Sequence, residues 1–198
     1  MKPLIQQAEA TIPTMWGTLR MIAFSESDGD YSPHLALLST PFDNEKKVLT
    51  RVHSECITGD VFGSKRCDCG AQLMSSLEQI AQTNGLLIYL RQEGRGIGLI
   101  NKLKAYNLQD EGFNTSDANV HLGFEPDERT YEIAIEIMEQ LGIQSIELLT
   151  NNPEKLGSIE ESNIELVRRV PLIMPTSKEN EAYLKAKKDF MGHLLDGK

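Results

Sequence analysis

The three cysteines of the chain all lie in one stretch, RVHSECITGDVFGSKRCDCG, where Cys56, Cys67 and Cys69 form a C-x10-C-x-C array. The polar neighbours that could share a ligand shell with them are His53, Glu55, Asp60 and Asp68. Three cysteines cannot all pair within one chain, and a reducing compartment disfavours disulfides. The remaining interpretations are inert buried thiols, a closed structural metal site, and three thiolates that hold a catalytic metal.

The surroundings of the cysteines favour a metal site. A single free cysteine is most often a small buried hydrophobe, but the segment GSKRCDCGAQ is polar and bounded by glycines, which suits thiolates beside Lys65 and Arg66. Structural zinc normally has four protein ligands, whereas catalytic zinc has three and leaves the fourth position to water. Three ligands plus water is the favoured interpretation, and closure of the shell by His53 or an aspartate stays open.

A second segment of chemical interest is RQEGRGIGLINK, residues 91–102. Its glycines free backbone N–H groups at the start of a helix, and Arg95 lies in the turn, a layout typical of an anion site. The pattern matches neither the Walker loop nor the dinucleotide fingerprint in full, and a turn that needs glycine is the simpler interpretation. Glu93 would repel phosphate, so we interpret it as a group that reads a donor pair such as the ring N–H and exocyclic amine of guanine.

Five further residues have ordinary structural interpretations. Asp127 precedes an amphipathic run and fits a helix cap, with Arg129 solvated in the first turn. Tyr106 lies on the apolar face of a predicted helix and fits the core. Thr150 and Lys155, in the segment TNNPEK, fit turn and surface positions.

Length and charge limit the class of protein. The chain has 198 residues and a formal net charge of -9, which predicts a single domain over residues 1–198 and argues against a general nucleic-acid binder. A local positive pocket could still concentrate an anionic ligand. No segment approaches the roughly 20 apolar residues that a bilayer requires, and the N-terminal segment has no signal-peptide core. We therefore expect a cytoplasmic protein with no nucleic-acid or membrane partner.

Short strands dominate the first half of the chain. Strands are predicted at residues 17–24, 34–40 and 47–53, where β-branched and apolar residues are separated by loop segments such as SESDGDYSP. This N-terminal portion is predicted to be antiparallel.

Helices and strands alternate after Gly70. The predicted helices cover residues 71–82, 98–109, 127–142 and 151–162, and the predicted strands cover 85–90, 143–150 and 164–170. In the second of these helices, Leu99, Leu103 and Tyr106 are predicted to share one apolar face. Residues 178–198 are predicted to form a C-terminal surface helix or tail.

This order of elements predicts a mixed α/β (α+β) fold with an N-terminal antiparallel β portion and a later βαβ portion whose strands are parallel. Ligands in such sheets gather at the carboxyl ends of strands. The segments RVHSEC, RQEGRGIG and TNNPEK all fall at such ends.

Seven motifs occur in a fixed order over roughly residues 12–195: RVHSEC, RCDCG, RQEGRGIGL, K-x-x-AYNLQD, AN-x-x-LGF-x-x-DER-x-Y, LLTNNPEK and RVPL. Together they resemble the signature of GTP cyclohydrolase II, the enzyme that commits GTP to riboflavin synthesis. A chain of separate motifs is far more specific than any one of them.

The resemblance implies a zinc- and magnesium-dependent hydrolase, usually a homodimer, that opens the imidazole ring of GTP at C8. It implies release of formate and pyrophosphate and formation of 2,5-diamino-6-(5-phosphoribosylamino)pyrimidin-4(3H)-one. By position, Cys56, Cys67 and Cys69 look like the ligands of one Zn²⁺ per subunit, with Mg²⁺ accompanying the triphosphate.

The resemblance also implies roles for other residues. The GTP contacts by position are Arg51, Val52, His53, Ser54, Glu55, Gln72, Glu93, Gly94, Arg95, Thr115, Thr150 and Lys155. Asp127 is similar to the proposed proton acceptor, Arg129 to the proposed nucleophile at the α-phosphate, and Tyr106 to the tyrosine associated with ring hydrolysis and deformylation. A guanidinium must lose a proton before it can attack, since its pKa lies above about 12.

The chain departs from the family pattern around Thr115. Asn114 stands where the family commonly has Asp, and Ser116 and Asp117 stand where Val-Glu or Val-Thr is usual, which could alter triphosphate binding. Only about 50 residues precede RVHSEC, too few for the 3,4-dihydroxybutanone phosphate synthase domain of some relatives, so we expect the stand-alone form. Two other functions are considered: a paralogue that stops at the formamidopyrimidine, and a catalytically silent GTP-binding regulatory protein with structural zinc.

Overall fold

The structure is a computed structural model that describes residues 3–177 and 179–195. In this part of the chain, seven strands form one mixed sheet. The strands are β1 (Ile5–Thr14), β2 (Gly17–Ser25), β3 (His34–Ser39), β4 (Val48–Ser54), β5 (Gly85–Leu90), β6 (Ser145–Leu149) and β7 (Glu165–Val170). The helices are α1 (Ile57–Asp60), α2 (Cys69–Ala81), α3 (Gly98–Asp110), α4 (Thr115–His121), α5 (Glu132–Gln140), α6 (Pro153–Glu160) and α7 (Glu181–Met191).

The strand order β1-β2-β3-β5-β4-β6-β7 combines two kinds of pairing. Strands β1, β2, β3 and β5 pair antiparallel, whereas β5, β4, β6 and β7 pair parallel. The predicted mixed α/β class, with an antiparallel N-terminal portion and a parallel later portion, is confirmed. The carboxyl ends of β4, β5 and β6 consequently meet at one edge of the sheet, directly before the segments that carry the predicted site residues.

The sheet is covered by helices on both faces. Leu86 and Ile88 of β5 pack with α5 in one cluster, while Leu87 packs with Leu77 and Ile80 of α2 in another. Alternate side chains of a strand point to opposite faces, so an apolar run such as GLLIYL is buried on both sides. This packing fixes β5, and with it the turn that follows, in the centre of the molecule.

Two local predictions were wrong, and two elements were not predicted. The helix predicted from residue 127 begins at Glu132, and β1 and α4 lie in segments for which no element was predicted. On α3 the predicted apolar face does not face the core: Leu99 and Leu103 are exposed, while Lys102 and Ala105 are buried. The interior beside α3 is polar, and a lysine with buried partners fits it better than leucine does.

The C-terminal part of the chain contains a helix. The predicted C-terminal element corresponds in part to α7, while residues 178 and 196–198 lie outside the described residues. Among the helices described, none is both long and apolar enough to cross a membrane.

Candidate active site

The three cysteines form one cluster. Cys56 follows β4, Cys67 lies two residues before α2, and Cys69 is the first residue of α2. Their Sγ atoms all lie within 4.8 Å of one another. The Cys56 and Cys67 sulfurs are 3.6 Å apart. In the described part of the chain, no histidine or carboxylate adds a ligand atom to this group. The cluster could hold a metal through three sulfurs, and the interpretation in which His53 or an aspartate closes the shell is not supported.

A glycine gives the sulfurs their room. A Cβ atom at Gly59, in α1, would lie 3.1 Å from the Cys67 sulfur and 3.3 Å from the Cys56 sulfur. A side chain at this position would therefore crowd the two sulfurs and require them to shift.

The charge of the cluster is concentrated on one sulfur. Hydrogen bonds from the Cys67 and Cys69 thiols, together with the Lys102 ammonium 3.1 Å away, hold the pKa of Cys56 well below its usual value. The hydrogen bond to Cys56 raises the pKa of Cys67 to about 11, and the same partner raises the pKa of Cys69 well above its usual value. Three adjacent thiolates repel one another, so full ionisation requires a cation at the cluster.

Lys102 is held in place by Glu93, which lies in the turn after β5. The Glu93 carboxylate accepts hydrogen bonds from Lys102 Nζ, Gly94 N and Ile57 N, each at 2.7 Å. Burial lowers the pKa of Lys102, but the Cys56 thiolate and Glu93 raise it by more, so the net shift is upward. Glu93 thus joins the glycine turn to the cysteine cluster. Its predicted role as a guanine contact stays a prediction.

His53 does not contact the cysteine sulfurs in this arrangement. Its Nε2 lies 3.1 Å from both carboxylate oxygens of Asp60. Asp60 Oδ2 also accepts from Tyr89 Oη at 2.8 Å and from Cys56 N at 2.9 Å. Burial lowers the pKa of His53, so the neutral ring donates from Nε2 and keeps Nδ1 as an acceptor. Nδ1 is buried and has no hydrogen-bond partner among the described residues.

Two adjoining cavities contain most of the predicted site residues. The first, which we call the thiol cavity, opens in front of the cysteines and is also lined by Glu55, Glu93, Gly94, Arg95, Tyr106 and Thr115. The second, the cationic cavity, is lined by Arg51, His53, Gln72, Thr150, Lys155 and Lys187. The residues that line both are Ser54, Cys69, Arg95, Arg129 and Tyr183.

The cationic cavity contains buried positive groups with few negative partners. Arg51 is 5% exposed and donates to the carbonyl of Leu149 and to Gln72 Oε1. Lys155 is 6% exposed and donates to the carbonyl of Val52 at 2.8 Å. Burial lowers the pKa of Arg51 to about 10 and that of Lys155 well below its usual value. Burying a cation without a counter-charge is costly, and an anionic ligand would offset that cost.

Val52 and Asp127 line neither cavity. The Val52 side chain lies in the hydrophobic core, and only its carbonyl reaches the site, through Lys155. Asp127 is not the helix cap that its position predicts, because residues 127–130 are not helical and Tyr131 precedes α5.

Asp127 instead contacts Arg129. Asp127 Oδ1 accepts from Arg129 Nε at 2.8 Å, and Oδ2 accepts from Nη2. Burial opposes ionisation of both groups, but their mutual contact lowers the pKa of Asp127 and raises the pKa of Arg129. The pair is therefore charged, and the guanidinium is protonated.

Tyr106 lies beside the cysteines rather than in the core. Its hydroxyl is 3.5 Å from Thr58 Oγ1, and the guanidinium carbon of Arg66 lies 4.8 Å from its ring centroid. Burial raises the pKa of Tyr106. The phenol is consequently protonated at neutral pH and can donate a hydrogen bond in the thiol cavity.

Thr115 begins α4, and Asn114 caps this helix. Asn114 Oδ1 accepts from Asp117 N at 2.9 Å. Asn and Asp are equally good N-caps, so the departure from the family pattern at Asn114 preserves the local structure that positions Thr115.

Several residues around the site were not singled out from the sequence. They are Asp60, Asp68, Tyr89, Tyr183 and Lys187. Asp60 and Asp68 could be noted only as polar neighbours of the cysteines. The contacts of the other three depend on strand pairing and on the packing of α7, for which no short motif gives a signal.

A family model and the sequences of curated relatives indicate the same family for this chain. Residues 5–171 match the family model described as GTP cyclohydrolase II. The riboflavin biosynthesis protein RibBA of Bacillus cereus (strain ATCC 14579) is 52% identical over 192 residues, which are 96% of this chain and 48% of that protein. RibBA of Bacillus mycoides (strain KBAB4) is 51% identical over the same shares of both chains. The chain spans about half the length of the curated relatives it matches.

A likeness to one solved structure is weak. RibBX, a two-domain 3,4-dihydroxy-2-butanone 4-phosphate synthase from A. baumannii, matches 86% of this chain and 40% of its own with a TM-score of 0.47 and 18% identity.

Proposed function

The chain belongs to the GTP cyclohydrolase II family, and from that premise we propose that it hydrolyses GTP in riboflavin biosynthesis. The proposed reaction opens the imidazole ring at C8 and releases formate and pyrophosphate. The product is 2,5-diamino-6-(5-phosphoribosylamino)pyrimidin-4(3H)-one. The observation that carries the proposal is the junction of the thiol cavity with the cationic cavity through shared residues such as Arg95 and Arg129.

The proposal assigns the triphosphate to the cationic cavity. Arg51 and Lys155 are buried and donate there only to uncharged oxygens among the described residues. Phosphate oxygens would supply the negative counter-charge that these cations lack and would form charge-assisted hydrogen bonds. Mg²⁺ is proposed to accompany the triphosphate, because it binds largely through phosphate oxygens and water.

The three cysteines are proposed to bind one Zn²⁺ per subunit. A tetrahedral site with Zn–S bonds of about 2.3 Å requires sulfurs about 3.8 Å apart, and the 3.6 Å between the Cys56 and Cys67 sulfurs fits that requirement. When bound, zinc would supply a hydroxide nucleophile at neutral pH for attack on C8. Lys102 and Glu93 would keep the Cys56 thiolate oriented and partly neutralised.

Different side chains are proposed to act on the triphosphate and on the imidazole ring. Arg129 lies at the junction of the cavities, where its protonated guanidinium would stabilise charge on the α-phosphate and the departing pyrophosphate. The family role of nucleophile requires that Arg129 first lose a proton, and Asp127 is the acceptor in contact with it. Tyr106 is proposed to donate a hydrogen bond during ring opening and loss of formate.

The remaining proposals concern the setting of the enzyme. Three free thiols at a metal site need a reducing compartment, which supports the cytoplasm. Exposed apolar side chains on α3, among them Ile100 at 73% exposure, support a homodimer. Light scattering of the purified protein measures the assembly directly.

Incubation of the zinc- and magnesium-loaded protein with GTP tests the proposed function. Formate and pyrophosphate are expected as products. Pyrophosphate without formate would favour the paralogue that stops at the formamidopyrimidine, which the presence of Tyr106 argues against. Binding of GTP without turnover would favour the silent regulatory protein, and in that case Cys69→Ser would unfold the chain rather than only abolish activity.

A further inference from the structure

Helix α7 forms a wall of both cavities. Tyr183 lines the thiol cavity and the cationic cavity, and Lys187 and Met191 line the cationic cavity together with His193, which follows the helix. The family match ends at residue 171, ten residues before α7 begins at Glu181. The match to the family model therefore does not extend to this wall.

Specific contacts attach α7 to the site. Lys187 Nζ donates to Asp68 Oδ1 at 2.8 Å and lies 4.5 Å from the centroid of the Tyr183 ring. Leu184 is buried, and the chain just after the helix is anchored by Leu194 N, which donates to the carbonyl of Asn151 at 2.8 Å. The helix thus has apolar and polar contacts with the rest of the protein.

The hydrogen bond between Lys187 and Asp68 connects α7 to other residues of the site. Asp68, which lies between two of the cysteines, also accepts from Gln72 Nε2, and Gln72 Oε1 accepts from Arg51 Nη2 at 2.8 Å. A chain of hydrogen bonds consequently runs from α7 to a buried cation of the cationic cavity. Asp68 is 4% exposed, so these bonds form away from bulk water.

Lys187 also adds positive charge to the cavity. An ammonium has three N–H donors, and among the described residues Asp68 is the carboxylate that pairs with it. Its charge is one of those that lower the pKa of Lys155, after burial, Arg51 and Arg129. Positive groups from β4, α6, α7 and the segment before α5 therefore converge on one space, which is the arrangement that a polyanion needs.

We propose that α7 completes the triphosphate site, with Lys187 as a further phosphate-binding residue and Tyr183 as the wall between the triphosphate and the ring being opened. The inference rests on the proposed function for the identity of the ligand. It assigns a binding role to a helix that lies beyond the family match.

Binding of inorganic tripolyphosphate to the metal-loaded protein, measured by calorimetry with excess Mg²⁺, tests this role without requiring turnover. Lys187→Met is expected to weaken tripolyphosphate binding about tenfold or more, because hydrogen bonds to charged groups are among the strongest. Lys187→Arg is expected to retain most of the affinity. The control is Lys185→Met, at an exposed lysine of the same helix, which is expected to change the affinity less than about twofold.

Guanosine, which has no phosphates, separates a binding role from a structural one. Guanosine affinity is expected to be the same in Lys187→Met and in the unaltered protein. Equal tripolyphosphate affinity in the Lys187→Met and Lys185→Met variants would overturn the proposal, and so would a parallel loss of guanosine and tripolyphosphate binding. Tripolyphosphate binding that depends on Lys187 in a protein that does not hydrolyse GTP would overturn the proposed function but not this site.

Discussion

Replacing Lys155 by methionine should stabilise the free protein and weaken its binding of GTP. Lys155 is 6% exposed, and its ammonium donates to the carbonyl of Val52. Among the described residues no carboxylate forms an ion pair with it. Methionine has a similar length and no charge, so the substitution removes a buried cation while retaining most of the packing.

Two opposing contributions set the expected change in the free energy of unfolding. Burial of an ion costs several kcal/mol, whereas a hydrogen bond that involves a charged group contributes about 1.5–3 kcal/mol. We therefore expect the free energy of unfolding of the Lys155→Met variant to rise by about 1–3 kcal/mol in the absence of ligand. Loss of the cation from the proposed triphosphate site should cost about 2–4 kcal/mol of GTP binding, or roughly 30- to 700-fold in affinity.

The pH dependence gives an independent check. Burial lowers the pKa of Lys155 in the folded protein. At pH values between that lowered pKa and the unfolded value of about 10.4, the unfolded chain therefore binds more protons than the folded chain. The contribution of Lys155 to stability consequently rises with pH across this window. The advantage of Lys155→Met should be greatest below the folded pKa and should shrink as the pH approaches 10.4.

Urea unfolding at several pH values, together with GTP binding by calorimetry, measures both effects. Lys104→Met is the matched control, since Lys104 is exposed on α3, and we expect it to change stability by less than about 0.5 kcal/mol. If Lys155→Met lowered the free energy of unfolding and left GTP affinity unchanged, the assignment of the cationic cavity to an anionic ligand would be refuted.

Three further changes test separate parts of the site. Tyr106→Phe should still release pyrophosphate but should accumulate the formylated intermediate, seen by mass spectrometry; unchanged formate release would exclude the role of Tyr106. Asp127→Asn should lower kcat at least about tenfold with a smaller change in KM, because it removes the proposed proton acceptor of Arg129, and a change in KM alone would indicate a binding role instead. Gly59→Ala should lower the zinc content after dialysis against a chelator, because the added Cβ would lie 3.1 Å from the Cys67 sulfur. The control Gly157→Ala should retain zinc, because nothing lies within 4 Å of a Cβ added there. Equal zinc retention by both variants would show that the cluster tolerates the methyl group.

Local pattern was a good guide to the elements of the sheet. The apolar run 85–90 predicted β5 with the bounds that the structure has, because continuous burial leaves a clear signal. The apolar periodicity of α3 was misleading: Leu99 and Leu103 are exposed, and buried Lys102 contacts Glu93 and Cys56. Periodicity reports which residues are apolar, but tertiary partners decide which face of a helix is covered.

The site residues, like the secondary-structure elements, were predictable where a local motif marked them and not where tertiary contacts decide their role. Motif order singled out the cysteines and several residues that line the cationic cavity, among them Arg51 and Lys155, but not Tyr183 or Lys187. It did not show the direct ion pair of Asp127 with Arg129, since that contact depends on residues 127–130 not being helical. The contact between Lys187 and Asp68 joins residues 119 positions apart. Only the folded chain brings such groups together, and no local sequence signal encodes their proximity.

The proposed reaction of this chain is the opening of the imidazole ring of GTP at a zinc site formed by three cysteines. The most direct measurement is product analysis by mass spectrometry, with formate and pyrophosphate assays, on protein of measured zinc content. We predict equimolar formate, pyrophosphate and diaminopyrimidine, in amounts that fall in parallel with zinc content in Cys69→Ser. A folded protein that holds zinc and magnesium and leaves GTP unchanged, or a Cys69→Ser variant that loses zinc and retains full activity, would contradict the account.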